Sequence, residues 1–184
     1  MPNFINLGHR STPVGSSDGN SFVHQRRPFI ITPSLSPRTS TPWLVYCDGS
    51  ALPNPGRMGL GAVWTAPDGT RHTLSQMAPG EGCNNEAEVR ALIAVLLALQ
   101  PQGANDLRVH CDNSLVVKQV GSHTAKPVAR LAALFDEARA LFNTFDQALL
   151  VWIPQHRNVE ADTLARAALG ITAPRKVKIS KKRH

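Results

Sequence analysis

The apolar positions of this chain follow two periods, and the elements that they predict form one α/β unit. Short apolar runs that end at Gly, Pro, Asn or Asp predict five strands, over residues 44–50, 60–66, 71–77, 107–111 and 149–153. Longer stretches with an apolar face predict four helices, over residues 84–99, 113–120, 127–145 and 159–169. Short loops join the first three strands and predict an antiparallel meander. The helix before the fourth strand predicts a crossover that sets this strand parallel to the first.

Both ends of the chain lack this periodicity. Residues 1–42 are rich in Ser, Pro, Thr and Asn and are predicted to be a disordered N-terminal extension. Residues 43–170 are predicted to be the folded domain, and residues 171–184 a basic C-terminal tail. The Arg and Ser content of the extension also fits an organelle transit peptide, although its prolines disfavour an amphipathic helix. We expect a cytoplasmic protein, with organelle targeting as the alternative.

The formal net charge of +7 belongs to the ends of the chain. Residues 1–42 carry four Arg and one Asp, and residues 175–184 carry six Lys or Arg and no acid. The remaining ten basic and twelve acidic residues leave the region 43–174 at a net charge of −2. Basic tails favour a general attraction to phosphates, with solubility as the simpler explanation. The acids of the domain must serve another purpose.

The cysteines and the hydropathy pattern exclude several classes of protein. Cys47, Cys83 and Cys111 are odd in number and form no Cys-x-x-Cys pair, which argues against a zinc site or a disulfide framework. Cys47 and Cys111 each precede an Asp at a strand end, so we expect them to be neighbouring, buried free thiols in a reducing compartment. No apolar run approaches the roughly 18 residues of a membrane span, so we expect a soluble protein without a membrane partner.

Two acids stand at the ends of predicted strands. Asp48 follows the apolar run 44–47, and Asp112 follows the fourth strand in the same way. Parallel neighbouring strands place their carboxyl ends at one rim, where open α/β sheets bind their ligands. Both carboxylates are therefore functional candidates, although Asp48-Gly49-Ser50 taken alone is also typical of a simple turn.

Two further acids lie on helices. At about 100° per residue, Glu88 lies on the apolar stripe of the first helix, whereas Glu86 lies roughly 160° away and faces solvent. A carboxylate on an apolar face costs several kcal/mol unless it is paired, so Glu88 is the functional candidate. Asp162 stands in the opening turn of the last helix, where the helix dipole alone favours an acid. The argument for Asp162 is that it converges with the other three.

A cluster of four carboxylates predicts bound cations. Two carboxylates about 4 Å apart repel by roughly 4 kcal/mol at an effective dielectric constant of about 20. Carboxylate oxygens suit Mg²⁺ or Mn²⁺ better than zinc. Two such ions held close together can activate a water and stabilise the leaving oxygen of a phosphodiester. These acids therefore predict a nuclease site.

Four ordered motifs resemble ribonuclease H of type 1. They are Asp48-Gly49-Ser50 with Asn54-Pro55-Gly56, Asn84-Asn85-Glu86-Ala87-Glu88, Asp112-Asn113-Ser114, and Asn158-Val159-Glu160-Ala161-Asp162-Thr163-Leu164-Ala165. The resemblance covers about residues 43–170. Within the family, the chain is most similar to the compact members, which lack a basic helical protrusion. It implies a five-stranded mixed sheet in the order 3-2-1-4-5 with helices on both faces. It also implies cleavage of the RNA strand of RNA/DNA hybrids.

The same resemblance assigns roles to residues of the site. It implies that the four acids bind metal; these are Asp48, Glu88, Asp112 and Asp162. It further implies that Asn54, Asn84 and Asn85 contact the minor groove of the hybrid, where amides can detect a 2′-hydroxyl. Ser114 replaces a commonly amide-bearing position and is counted with these substrate contacts.

Two positions depart from the pattern of relatives. Cys83 stands where many relatives have a Thr that helps to bind a phosphate of the DNA strand, so the composition of that pocket stays open. His156 has a different spacing from the mobile histidine of the better-known bacterial members. For His156 we therefore keep both a catalytic role and a plain surface position near phosphate.

The leading hypothesis is a monomeric, metal-dependent endoribonuclease acting on RNA/DNA hybrids. The first alternative is a related nuclease that acts on another nucleic acid, such as a DNA junction, or that derives from a retroelement; Asn54, Asn84 and Asn85 argue against it. The second alternative is a nucleic-acid-binding module without catalysis, in which the basic tails bind. Clustered negative charge facing phosphates argues against such a module.

Overall fold

The computed structural model describes residues 41–122 and 128–173. Within these ranges the chain forms five strands, four α-helices and three short 3₁₀ turns. The strands are β1 (Trp43–Leu52), β2 (Gly56–Thr65), β3 (Arg71–Gly82), β4 (Asp106–Cys111) and β5 (Gln147–Trp152). The helices are α1 (Asn84–Leu99), α2 (Ser114–Gly121), α3 (Ala132–Phe142) and α4 (Val159–Ala168).

The strands form one mixed sheet in the order β3-β2-β1-β4-β5. The pairs β1–β2 and β2–β3 are antiparallel, and β4 is parallel to both β1 and β5. The predicted order and strand directions are thus confirmed. Because β1 and β4 run side by side in the same direction, their carboxyl ends share one rim of the sheet.

Glycines set how closely the helices approach the two faces of the sheet. A Cβ at Gly49 of β1 would lie 2.1 Å from the Ala87 carbonyl carbon of α1, so this helix packs directly on the strand backbone. A Cβ at Gly61 of β2 would lie 2.2 Å from the Ala161 carbonyl oxygen of α4 on the opposite face. Helices therefore cover both faces, as predicted, and α4 approaches the sheet through its small residues Ala161 and Ala165.

The core lies mainly between the sheet and α1. Three leucines of this helix are fully buried, namely Leu92, Leu96 and Leu99, and Phe135 of α3 packs into the same cluster. Each such side chain contributes roughly 1.5–3 kcal/mol through removal of apolar surface from water. This packing anchors α1 and so fixes its first turns against β1.

Several predicted boundaries differ from the structure. The first strand was predicted to end at residue 50, but β1 continues to Leu52. The reason is that its pairing with β2 extends to Leu52 and Arg57, which leaves only a turn over 53–55. β3 extends to Gly82, past a register shift that disturbs the apolar alternation. The helix predicted over 127–145 is a 3₁₀ turn followed by the shorter α3.

Some predictions fall outside the described residues. These are the disorder of the extension over 1–40, the character of the tail over 174–184, and the loop over 123–126 with the helix start at residue 127. Of the helices in the described ranges, none is long and apolar enough to cross a membrane.

The contact at Gly61 predicts a specific loss of stability. In Gly61→Ala the new methyl group would lie 2.3 Å from the Ala165 amide nitrogen as well as against Ala161, so α4 must move away from the sheet. We expect a loss of about 1–3 kcal/mol, which thermal unfolding by circular dichroism would report as a lower Tm. Gly121→Ala is the matched control, since a Cβ there meets nothing within 4 Å. Equal Tm values for the two variants would contradict the packing argument.

Candidate active site

Three carboxylates meet at the rim shared by β1 and β4. Asp48, predicted at a strand end, lies within β1, because pairing with β2 continues to Leu52; it is two residues past Tyr46, the last residue of β1 that pairs with β4. Asp112 directly follows β4, and Glu88 lies in the second turn of α1. One oxygen from each of the three lies within 4.8 Å of the others. Asp48 and Glu88 are buried, and Asp112 is half-buried. The structure therefore brings together three of the four predicted acids.

Local contacts explain why Glu88 reaches Asp48. Gly49 allows the backbone of α1 to touch β1, and a Cβ there would lie 2.2 Å from the Glu88 amide nitrogen. The start of the helix is also tied to β1, because the Ala51 amide donates a hydrogen bond of 2.8 Å to Asn84 Oδ1. The first turns of α1 are thus held at the end of β1 from two positions.

Burial and like charge act together on Glu88. Burial, followed by the charge of Asp48, raises the pKa of the Glu88 carboxyl well above its ordinary value. Its Oε2 atom is buried and has no hydrogen-bond partner among the described residues. An unpaired buried carboxylate oxygen beside two other carboxylates is a group that a cation would stabilise.

The helical angle correctly predicted that Glu88 lies on the buried side of α1. For Glu86 the prediction was only partly right. Glu86 was expected to face solvent, but it is half-buried and paired with Arg90, whose Nη2 lies 2.9 Å from Glu86 Oε1. The reason is the i,i+4 spacing, which places Arg90 one turn further on the same side of the helix.

Asp162 lies in the first turn of α4 and is buried. It is not a member of the group of three acids that meet within 4.8 Å. It is accompanied by Arg166, whose Nη1 lies 3.9 Å from Asp162 Oδ2. The participation of Asp162 in metal binding stays a prediction.

The predicted amides line the same rim and are linked by hydrogen bonds. Asn54 Oδ1 accepts from the Asn84 amide at 3.1 Å. Asn85 Oδ1 accepts from Asn113 Nδ2 at 3.0 Å, and the Asn113 side chain also caps the start of α2. Asn54, Asn84 and Asn85 are all exposed, which leaves polar atoms accessible to a ligand.

The two other predicted substrate residues are also exposed. Ser114 is the first residue of α2, directly beyond Asp112 and Asn113. His156 lies in the short 3₁₀ turn Gln155–Arg157 that precedes α4. Their roles stay predictions.

Sequence reasoning missed two side chains that contact Asp112. Asn158 Nδ2 lies 3.0 Å from Asp112 Oδ1, and Trp152 Nε1 donates a hydrogen bond of 3.1 Å to the Asp112 carbonyl oxygen. Asn158 occupies the position directly before α4, where an Asn commonly caps a helix, but its side chain makes no capping hydrogen bond. A capping Asn is normally near the surface, whereas Asn158 is 1% exposed, a difference that appears only in the folded chain and not in the local sequence.

Cys83 immediately precedes α1 and contacts Arg130. Arg130 Nη2 lies 3.1 Å from Cys83 Sγ. Burial raises the pKa of the Cys83 thiol, but the hydrogen bond and charge of Arg130, together with the backbone amides of Glu86 and Asn85, hold it below its ordinary value. The pocket at Cys83, whose composition the sequence left open, therefore contains the guanidinium of Arg130.

The prediction that Cys47 and Cys111 are buried, neighbouring thiols is confirmed. Both are free and fully buried. The hydrogen bond with Cys111, followed by burial, raises the pKa of the Cys47 thiol well above its ordinary value. Each of them directly precedes one acid of the site in the chain.

The donor set fits a divalent metal ion. Among the described residues, the group that could hold an ion consists of Asp48, Glu88 and Asp112, and it offers oxygen ligands only. Oxygen ligands suit Mg²⁺ or Mn²⁺. The unpartnered Glu88 Oε2 supplies an oxygen that such an ion would satisfy.

This fold and site define a nuclease-like class, and comparison with known proteins agrees. A family model described as reverse transcriptase-like matches residues 46–168. The chain is 33% identical over 144 residues to ribonuclease HI of Halobacterium salinarum, covering 77% of this chain and 71% of that protein. It therefore belongs to the ribonuclease H type 1 family.

Solved structures support the same assignment. The crystal structure of RNase H1 from Halobacterium salinarum matches with a TM-score of 0.65 at 32% identity, covering 71% of this chain and 98% of that one. LC11-RNase H1 in complex with an RNA/DNA hybrid matches with a TM-score of 0.60 at 30% identity, covering 70% and 96%.

A longer relative shares only this region. The bifunctional protein Rv2228c of Mycobacterium tuberculosis is 37% identical over 131 residues, which cover 71% of this chain. The match spans only 36% of that protein, about a third of its length.

Because the acids repel one another, replacing Glu88 should affect Tm in opposite ways in the absence and in the presence of metal. In the metal-free protein, at a pH high enough to ionise the Glu88 carboxyl despite its raised pKa, Glu88→Gln removes a buried negative charge from beside Asp48 and Asp112. It should then raise Tm, by roughly 2–4 °C for each kcal/mol gained. The same variant should lose most of the rise in Tm that Mg²⁺ gives the unaltered protein, because a ligand is gone.

The matched control is Glu86→Gln, which changes an acid of the same helix outside the cluster. It should lower the metal-free Tm slightly, since the pair with Arg90 is removed, and it should keep the response to Mg²⁺. Differential scanning fluorimetry in EDTA and in Mg²⁺ measures both effects. A lower metal-free Tm for Glu88→Gln would count against electrostatic crowding at the site.

Proposed function

We propose that this chain is a divalent-metal-dependent endoribonuclease that hydrolyses the RNA strand of RNA/DNA hybrids and leaves 5′-phosphate and 3′-hydroxyl ends. The observation that carries the proposal is the group of three carboxylates at the common rim of β1 and β4 in a chain of the ribonuclease H type 1 family. A carboxylate cluster of this kind repels a phosphodiester unless cations lie between them.

The residues proposed to hold metal are Asp48, Glu88, Asp112 and Asp162. Bound Mg²⁺, or Mn²⁺ in its place, would supply an activated water and stabilisation of the leaving oxygen, and two ions per site would supply both at once. Asp48 lies within β1 and Asp112 directly follows the adjacent strand β4, and Glu88 adds a third carboxylate from a helix anchored in the core. A rigid donor set of this kind lowers the cost of ordering ligands when a cation binds.

The amide-lined rim supports an RNA-containing substrate. Asn54, Asn84 and Asn85 are accessible near the acids, and amide groups can both donate to and accept from a 2′-hydroxyl. A structural relative, LC11-RNase H1, was solved in complex with an RNA/DNA hybrid. We propose the same class of substrate for this chain, with Ser114 and His156 as further contacts.

Cleavage of defined substrates tests the proposal. The unaltered protein with Mg²⁺ should cut a labelled RNA/DNA hybrid and leave double-stranded DNA and double-stranded RNA intact. Asp48→Asn should reduce hybrid cleavage by more than about 100-fold, since loss of groups that merely support metal ligands already costs 10–100-fold. Asp106→Asn, at the opposite end of β4, is the matched control and should remain active.

Other outcomes of this assay would favour the alternatives. Preference for a DNA junction over the hybrid would favour a related nuclease with another substrate. Hybrid binding without cleavage in either metal would favour a binding module. Cleavage by Asp48→Asn at the unaltered rate would remove the proposed active site.

We further propose that the basic tail adds affinity for nucleic acid and that the protein acts as a monomer, since all clustered acids come from one chain. Replacing the six Lys and Arg residues of 175–184 with Gln should weaken hybrid binding and leave kcat unchanged, because none of them is among the acids proposed to hold metal. The slope of log Kd against log salt should fall by roughly 0.7–0.9 for each phosphate that the tail no longer neutralises. Fluorescence anisotropy across a salt series measures this slope, and an unchanged slope would contradict a role for the tail.

A further inference from the structure

Asn158 links three elements at the rim of the sheet. Its Nδ2 group lies 2.9 Å from the Cys47 carbonyl oxygen, in β1 directly before Asp48. The same nitrogen lies 3.0 Å from Asp112 Oδ1, beyond β4. An amide nitrogen carries two hydrogens, so both are used in these contacts. The side chain therefore joins the residue that precedes α4 to the ends of both central strands.

The environment of Asn158 shows that helix capping does not explain the residue. Its side chain makes no capping hydrogen bond, and its Oδ1 atom is buried without a partner among the described residues. An unpartnered buried oxygen costs stability. The position of the side chain is therefore explained by its two N–H donors, which contact Asp112 and the residue before Asp48.

The backbone of Asn158 extends the same link to the fourth acid. Its carbonyl oxygen accepts a hydrogen bond of 3.0 Å from the Asp162 amide, which is the first helical bond of α4. A displacement of Asn158 would therefore move the turn that carries Asp162. One residue consequently restrains Asp112 through its side chain and Asp162 through its main chain.

We propose that Asn158 is a positioning residue that preorganises the acid cluster for divalent metal, an inference that rests on the proposed function. A neutral amide fixes the rotation of the Asp112 carboxylate and leaves its negative charge available to a cation. Groups that orient metal ligands in this way typically affect metal affinity by about 10–100-fold.

The test measures metal binding without nucleic acid. Asn158→Ala should bind Mg²⁺ or Mn²⁺ about tenfold more weakly by isothermal titration calorimetry, and Asn158→Ser, which keeps one donor, should lie between it and the unaltered protein. Asn143→Ala changes an exposed asparagine at the end of α3 and should match the unaltered protein. In hybrid cleavage, Asn158→Ala should lower kcat at limiting Mg²⁺, recover at high Mg²⁺, and leave KM for the hybrid unchanged.

The outcomes separate this inference from the proposed function. Unchanged metal affinity in folded Asn158→Ala would overturn the positioning role, even if the unaltered protein cleaves hybrids. Loss of fold in both the Ala and the Ser variants would also overturn it, because Asn158 would then act through overall stability. Failure of the unaltered protein to cleave any hybrid would overturn the proposed function, while the calorimetry would still report whether Asn158 supports metal binding.

Discussion

Contact between helix backbone and strand backbone is the constraint on which the site depends. Gly49 lets α1 touch β1 on one face, and Gly61, the register partner of Asp48, lets α4 touch β2 on the other. A side chain at either position would require a helix to move. Asp48 therefore lies between two helices that approach closely because the neighbouring positions carry no Cβ. Close packing of the helices on the sheet, rather than attraction between charges, therefore brings the acids together.

The same packing explains how the fold tolerates repulsion at its rim. α1 carries Glu88 in its second turn and buried leucines along its remaining length. Burial of those leucines fixes the helix, so Glu88 cannot move away from Asp48 without disturbing the core. The stability of the core thus offsets the repulsion between Glu88 and Asp48. Functional sites commonly contain such locally unfavourable contacts, which the rest of the fold compensates.

The sequence predicted the positions that follow from strand ends and helix periodicity. Asp48 and Asp112 could be placed because each ends an apolar run, and Glu88 because its angle on α1 is fixed by the helix. The continuation of β1 through Leu52 could not be placed, since it depends on pairing with the glycine-rich start of β2. The role of Asn158 was equally hidden, because the acceptors of its amide lie 111 and 46 residues away in the chain. Local pattern identifies an asparagine before a helix but not which acceptor it meets.

The kinds of donor around the acids differ in a way that suits cation binding. Asp112 is restrained by the amide of Asn158 and the indole of Trp152, both neutral. Asp162 is accompanied by Arg166, and Cys83, further along the rim, by Arg130. A permanent cation on Asp112 would compete with a metal ion for the same oxygens, whereas a neutral donor orients the carboxylate and preserves its charge. The exposed Arg130, together with the basic tails, is instead suited to the phosphates of a polyanion. Asp112 thus keeps its full charge for a metal ion, whereas the charge of Asp162, the fourth proposed ligand, is partly offset by Arg166.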